Sequence, residues 1–190
     1  MNVFACDSSP VVAARALADR HVVCMVRETA QILSTTAREL GLDDSALYAS
    51  THLHHPVVVA CIYDSGYRDW VMRHGRALAR EYTHRYDRFH ASSAVLDRAA
   101  HRLRQLGPPS VLTSFPLAMP EEFKFDDPHE SYRRYLAAKY SRWGQAARWT
   151  RRTRPSWTTL EPHDLPDDTQ RLPKVWNVAD RHLLRKPVRH

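Results

Sequence analysis

The sequence predicts a mainly α fold: a compact, single-domain helical bundle with long loops and an irregular C-terminal arm. Three observations carry this expectation. Apolar residues recur at helical spacing from the first turn to about Trp149. Strand-like alternation is sparse. Ser, Asp, Pro and Gly fall where helix caps and stops are needed. The 190 residues suit one sizeable core.

The elements follow in order. Met1 to Cys6 is a short apolar opening, read as extended. Ser8-Ser9-Pro10 starts a helix, with a serine cap and proline in the first turn. Apolar spacing continues to Leu40, Gly41 offers a stop, and a break at Ala18–Asp19 would divide a short helix from a long one. On the long helix, Val22, Val23, Met25, Val26, Ala30, Ile32 and Leu33 are expected in the core. Tyr48 to Pro56 reads as a polar loop, and Pro56 begins the next helix. Ser65-Gly66 reads as punctuation before a helix from Tyr67 to Tyr86, with Trp70, Val71, His74, Ala77, Leu78 and Glu81 at helical spacing. Ser92 or Ser93 caps another helix that ends at Gly107-Pro108-Pro109. Val111 to Phe125 is loop-like, and Asp126-Asp127-Pro128 starts a helix expected to reach Trp149. Residues 1–158 form the helical domain on this reading. Residues 159–190, proline-rich and acidic then basic, form the arm.

Lys and Arg total 28 against 21 acidic residues, a formal charge of +7, and 12 histidines add to it at low pH. The only lysines are Lys124, Lys139, Lys174 and Lys186, so arginine carries the charge. Planar guanidinium groups favour bidentate contact with phosphate and stacking on bases. Nucleic acid is the partner class this balance suggests; the narrowing to duplex DNA comes from the resemblance described below. Cys6, Cys24 and Cys61 form no Cys-x-x-Cys pair and read as reduced, mostly buried thiols of a cytoplasmic protein. Neither a membrane span nor a signal peptide is expected. A monomer is favoured. Five glycines leave no phosphate-cradling loop, and Gly-x-Ser-x-Gly is absent, so dinucleotide, Walker-type and α/β-hydrolase chemistries are disfavoured and no cofactor is expected.

The candidate chemistry lies on the long helix. His21 and Glu28 are seven residues apart and Gln31 is three further, so all three lie close to one face of an otherwise apolar segment. A carboxylate there is costly unless it is paired or works in a cleft. Glu28 is the leading catalytic candidate, able to hold a proton or stabilise a developing cation; the structural alternative is an arginine-paired Glu28. His52, His54 and His55, with His21 or His74, invite a metal reading, but no carboxylate or cysteine stands at diagnostic spacing, and no metal is expected. A third cluster interleaves rings and cations. Tyr132, Tyr135, Lys139, Arg142 and Trp143 share a helical stripe, while Arg133 and Arg154 extend the basic run. That stripe suits either stacked bases or a core face. Tyr67, Arg68, Trp70 and Arg73 repeat the pattern more weakly.

Ala18, Asp19 and His21, followed by Arg27 and Glu28, spell an Ala-Asp-x-His…Arg-Glu pattern. It resembles the pyrimidine-dimer DNA glycosylases of the phage endonuclease V type. Tyr48 to Pro56 looks similar to a loop of that wider family, and Arg85-Tyr86-Asp87-Arg88-Phe89 to the end of the helix that follows it there. Over residues 1–158 the chain also resembles a group of uncharacterised phage proteins. The matching stretches there are Met1-Asn2-Val3-Phe4, Asp19 to Ser34, His54-His55-Pro56, Glu81 to His90, Ala118-Met119-Pro120, Tyr132 to Tyr135 and Arg154-Pro155-Ser156-Trp157.

The resemblance implies an all-α, DNA-binding enzyme that acts on a flipped or exposed pyrimidine in the host cytoplasm, if phage-encoded. In those glycosylases the free amine at the chain start attacks the sugar C1′, and the glutamate matching Glu28 supports the attack. The residues matching His21 and Arg27 contact DNA or the reacting sugar. An α-amine ordinarily titrates near about 8, so much of it is nucleophilic near neutrality. Two departures stand out. Asn2 follows Met1 and is large enough to keep Met1 in place, which sets the amine one residue further out. Gln31 stands where the dimer-specific enzymes carry an arginine. Both put strand-cleaving lyase chemistry in question.

The expected catalytic set is therefore Glu28 with Met1, His21 and Arg27. The expected DNA contacts are Gln31, His54, His55, Arg68, His74, Tyr132, Arg133, Lys139, Arg142, Trp143 and Arg154. The leading function is glycosylase-like base excision with AP-lyase activity as its extension. One alternative is a transferase in phage pyrimidine hypermodification, resting on analogy. The other is a non-catalytic DNA-binding accessory protein.

Overall fold

The computed structural model describes residues 1–159. Six α-helices pack around one hydrophobic core: α1 (Pro10–Ala16), α2 (Asp19–Glu39), α3 (Pro56–Tyr63), α4 (Ser65–Tyr86), α5 (Ser93–Arg104) and α6 (Pro128–Trp143). There is no strand among the described residues. The expected arm falls almost wholly on residues 160–190, outside the described part. Among the described residues no helix is long and apolar enough to cross a membrane.

The caps set the helix starts. Ser9 accepts the Val12 N–H for α1, Asp64 the Tyr67 N–H for α4 and Asp127 the His129 N–H for α6. Pro10, Pro56 and Pro128 occupy the first turns of α1, α3 and α6, where a missing N–H costs nothing. Gly41 follows α2 at φ 74°, a left-handed conformation that favours glycine.

Two boundaries differ from the sequence expectation. The last helix stops at Trp143 rather than Trp149, because Gly144 takes φ 51° and the chain tightens into a short 3₁₀ turn. Ser65-Gly66 does not break the chain but forms the first turn of α4. Gly66 is required there by a close approach: a Cβ would lie 2.6 Å from the backbone nitrogen of Leu112.

Helix α2 is the central element and packs against α3, α4 and α5. It runs antiparallel to α4, since Asp19 pairs with Arg85 at one end while Thr29 meets Gly75 ten residues along. Its core positions are Val22, Met25, Val26, Ala30, Ile32 and Leu33, as expected; Val23 instead faces out, 39% exposed. Cys6 and Cys61 are buried, whereas Cys24 is exposed, one turn before Glu28.

The opening segment is buried from Val3 to Cys6, so its backbone groups need partners. His129 lies 2.7 Å from the Ala5 carbonyl, Arg133 donates to that of Cys6 at 2.8 Å, and Trp70 donates to that of Ser8 at 2.7 Å. The Asn2 side chain donates to the Ala118 carbonyl at 2.8 Å. Met1 is thereby held in one place.

A buried ionic network ties α1, α2, α4 and the segment after α6. Arg85, its side chain fully buried, donates to Glu81 (2.8 Å), Asp19 (2.8 Å) and the Arg15 carbonyl (3.1 Å). Arg152 grips Glu81 with two bonds of 2.8 Å, and Asp19 also accepts the backbone and side chain of Thr150. Burial pushes the Glu81 carboxyl up, but Arg152 and Arg85 outweigh it and hold it below its ordinary range. Arg85→Ala leaves two carboxylates without their shared cation, so urea denaturation is expected to show a loss of about 3–5 kcal/mol. A loss under about 1 kcal/mol would mean that the network contributes as little as a surface pair.

Candidate functional site

Three of the expected residues meet at one point on α2. The Glu28 Oε2 lies 3.5 Å from the α-ammonium of Met1 and accepts the Asn2 N–H at 2.9 Å. The Glu28 side chain is 22% exposed: shielded enough to strengthen the pairing, open enough to meet a ligand. Its cation is the chain terminus, not the arginine that the structural alternative required.

His55 is the third member. Its Nδ1 accepts the Val57 N–H at 3.3 Å, capping α3. Partial burial lowers its pKa, and the terminal ammonium and His52 add to this, while a backbone hydrogen bond with Met1 pulls the other way. Burial and the nearby ammonium thus both favour the uncharged form of this imidazole. The polar loop and Pro56 were legible in the sequence; the meeting of His55 with Met1 was not.

Around this point, α2 turns one stripe to solvent. Arg20, Val23, Cys24 and Arg27 are exposed, and Gln31 is half-buried one turn beyond Glu28. The Arg20 guanidinium lies over Trp143 at 4.7 Å, and the Lys139 ammonium lies 5.0 Å from the centre of the Tyr135 ring. His90 sits against α2, with a hydrogen bond to the Val23 backbone and the Arg27 charge nearby. Its neighbour Phe89 is 86% exposed. Asn2, Arg20 and His90 were not among the expected site residues. The helical position of Arg20, eight residues before Glu28, was the one available signal.

Several expected contacts are elsewhere. His21 is a core residue, 6% exposed, between Phe4, Tyr140 and Trp143. Its Nδ1 shares a 2.9 Å hydrogen bond with the Tyr140 hydroxyl, so it orders the aromatic core instead of meeting a sugar. His74 is fully buried and stacked on Trp70, with no partner for either ring nitrogen among the described residues, and cannot touch DNA. Tyr132 is fully buried and donates to the Pro116 carbonyl at 2.6 Å. Arg68 is also buried and donates to the carbonyls of Cys61 (2.7 Å) and Ile62 (3.2 Å), closing the end of α3. Each sits on a helix face that packing turned inward.

Arg133 is spent on Cys6 and lies 3.7 Å from Asp7. Arg154 donates to Thr158 and covers Trp149 at 5.2 Å. His54 and Arg142 are exposed, whereas Lys139 and Trp143 are half-buried. Among the described residues no group of three His, Cys, Asp or Glu side chains is placed to hold a metal.

Burial pulls the His74 pKa down to about 3, and burial with Lys139 and Arg20 does the same to His21. Unfolded, both bind a proton below about 6.5. Their stabilising contribution is thus complete above that pH and is lost as pH falls toward 3, by about 1.4 kcal/mol per pH unit for each ring. Denaturation between pH 6.5 and 5 is expected to show this slope. His74→Phe is expected to remove one ring's share and, by deleting two orphaned polar atoms, to raise stability at pH 7 by about 1–3 kcal/mol. An unchanged slope would place His74 in water.

Comparisons with protein-family models, with curated proteins and with solved structures return no match.

Proposed function

We propose that the chain is a DNA-binding enzyme that acts on an exposed pyrimidine nucleotide by glycosylase-like base excision. The Met1 amine is its nucleophile and Glu28 is the proton acceptor. The observation that supports this reading is the 3.5 Å approach of the terminal amine to a half-shielded carboxylate. A nucleophile and its base belong within reach of one another, and apo distances often run long.

The ammonium gives a proton to Glu28, and the free amine attacks C1′ of the sugar. A C–N bond forms as the glycosidic bond breaks, and the base leaves with the bonding pair and takes up the proton held by Glu28, which returns to its carboxylate form. The nitrogen loses a second proton and O4′ takes one up as the C1′–O4′ bond opens, giving an iminium whose charge the Glu28 carboxylate stabilises. Asn2 does not disrupt this geometry, because its own nitrogen lies 2.9 Å from the same carboxylate oxygen. With or without Met1, the leading amine falls at Glu28. Arg20, Arg27 and Arg142 supply exposed positive charge for the phosphates, consistent with a net charge of +7, and His54 is exposed as well.

The test combines duplexes carrying a pyrimidine dimer, an abasic site or a hypermodified pyrimidine with borohydride. A covalent adduct to the terminal residue is expected, with intact mass identifying whether Met1 or Asn2 carries it. Glu28→Gln is expected to lower trapping about 100-fold or more, and acetylation of the α-amine to abolish it. Released base without an adduct, unaffected by acetylation, would reject the amine as nucleophile. An intact strand of altered mass would replace excision by transfer chemistry. Binding unaffected by Glu28→Gln, with no product from any duplex, would leave an accessory protein.

A further inference from the structure

A solvent-open cleft of about 210 Å³ lies where α1, α4 and the segment after α6 meet. Neither Met1 nor Glu28 lines it. Its charged lining is Arg15 from α1, Arg80, Glu81 and His84 from α4, and Arg152. Glu81, the one acidic residue of this lining, is saturated: Oε1 accepts from Arg85 and Arg152, and Oε2 accepts from Arg152. Arg152 is thereby fixed in place. Arg15 and Arg80 are exposed, and their guanidiniums make no hydrogen bond or ion pair among the described residues. His84 contacts the Arg151 carbonyl at 3.4 Å.

Guanidiniums lining one cleft repel each other unless an anion lies between them, and their planar donor forks match tetrahedral oxyanions. The buried network behind the cleft is balanced, with Asp19 and Glu81 against Arg85 and Arg152. It therefore does not neutralise the two outer arginines. We infer that this cleft binds a phosphate group through Arg15 and Arg80, with Arg152 as its fixed edge. The group is either a phosphodiester of a nucleic-acid backbone or a phosphate free in solution. The inference does not depend on the reaction at Met1.

The experiment uses the full chain, inorganic phosphate as one probe and an unmodified duplex oligonucleotide as the other. The variant is Arg15→Gln with Arg80→Gln; both side chains are exposed, so folding is expected to persist and circular dichroism checks it. Arg73→Gln, outside the cleft, is the control. If the ligand is free phosphate, calorimetry is expected to show binding that the double variant weakens about tenfold or more. If the ligand is a backbone phosphodiester, duplex affinity falls and the slope of log K against log salt drops by about two in the double variant only. No change in either measurement, or an equal change in Arg73→Gln, overturns the site. Borohydride trapping retained in the double variant would separate this cleft from the reaction at Glu28.

Discussion

The structure depends most on one buried guanidinium. Arg85 holds Glu81 on its own helix, Asp19 at the start of α2 and the Arg15 carbonyl near the end of α1. The bonds to Asp19 and to the Arg15 carbonyl cross two different packing boundaries, and the bond to Glu81 holds the guanidinium in place along α4. Without it, α1, α2 and α4 would share apolar surface but lack a fixed register, since hydrophobic contact is not directional. A buried ion set of this kind costs desolvation and returns geometry. The geometry returned here is the placement of α2, and with it the depth at which Glu28 meets solvent.

The second constraint is the buried opening segment. A chain terminus is ordinarily loose. Here Val3 to Cys6 fill the core, and side chains from α4 and α6 hold carbonyls from Ala5 to Ser8. The entropy lost in ordering these residues is offset by apolar burial and by satisfied backbone groups. The result is an amine delivered to a carboxylate at fixed distance. Preorganisation of that kind is what the proposed nucleophilic role of the amine requires.

Basic side chains take several roles that composition alone does not separate. Arg68, Arg85 and Arg133 hold backbone carbonyls. Arg20 and Arg154 cover tryptophan rings. Arg27, Arg15 and Arg80 remain exposed. Charge that closes helix ends or pins loops is spent inside the molecule, so the +7 total overstates what reaches a partner.

The sequence by itself determined the helical elements and most of their ends. Caps and proline positions act within one turn, so Ser9-Pro10, the Ala18–Asp19 break, His55-Pro56 and Asp127-Pro128 were all legible. It also isolated Glu28, because a carboxylate on an apolar helix is conspicuous. Tertiary packing alone decided which polar residues were turned inward. His21, Arg68, His74 and Tyr132 lie on amphipathic helices at positions where a side chain with a polar tip can face either water or the core, and period does not distinguish these. Packing also decided the partner of Glu28, since the Met1 amine lies 27 residues away in sequence and is brought there by long-range burial. Gly66 teaches the same lesson. Glycine permits a break and a close approach equally, and only the passing Ser110–Leu112 backbone selected the second.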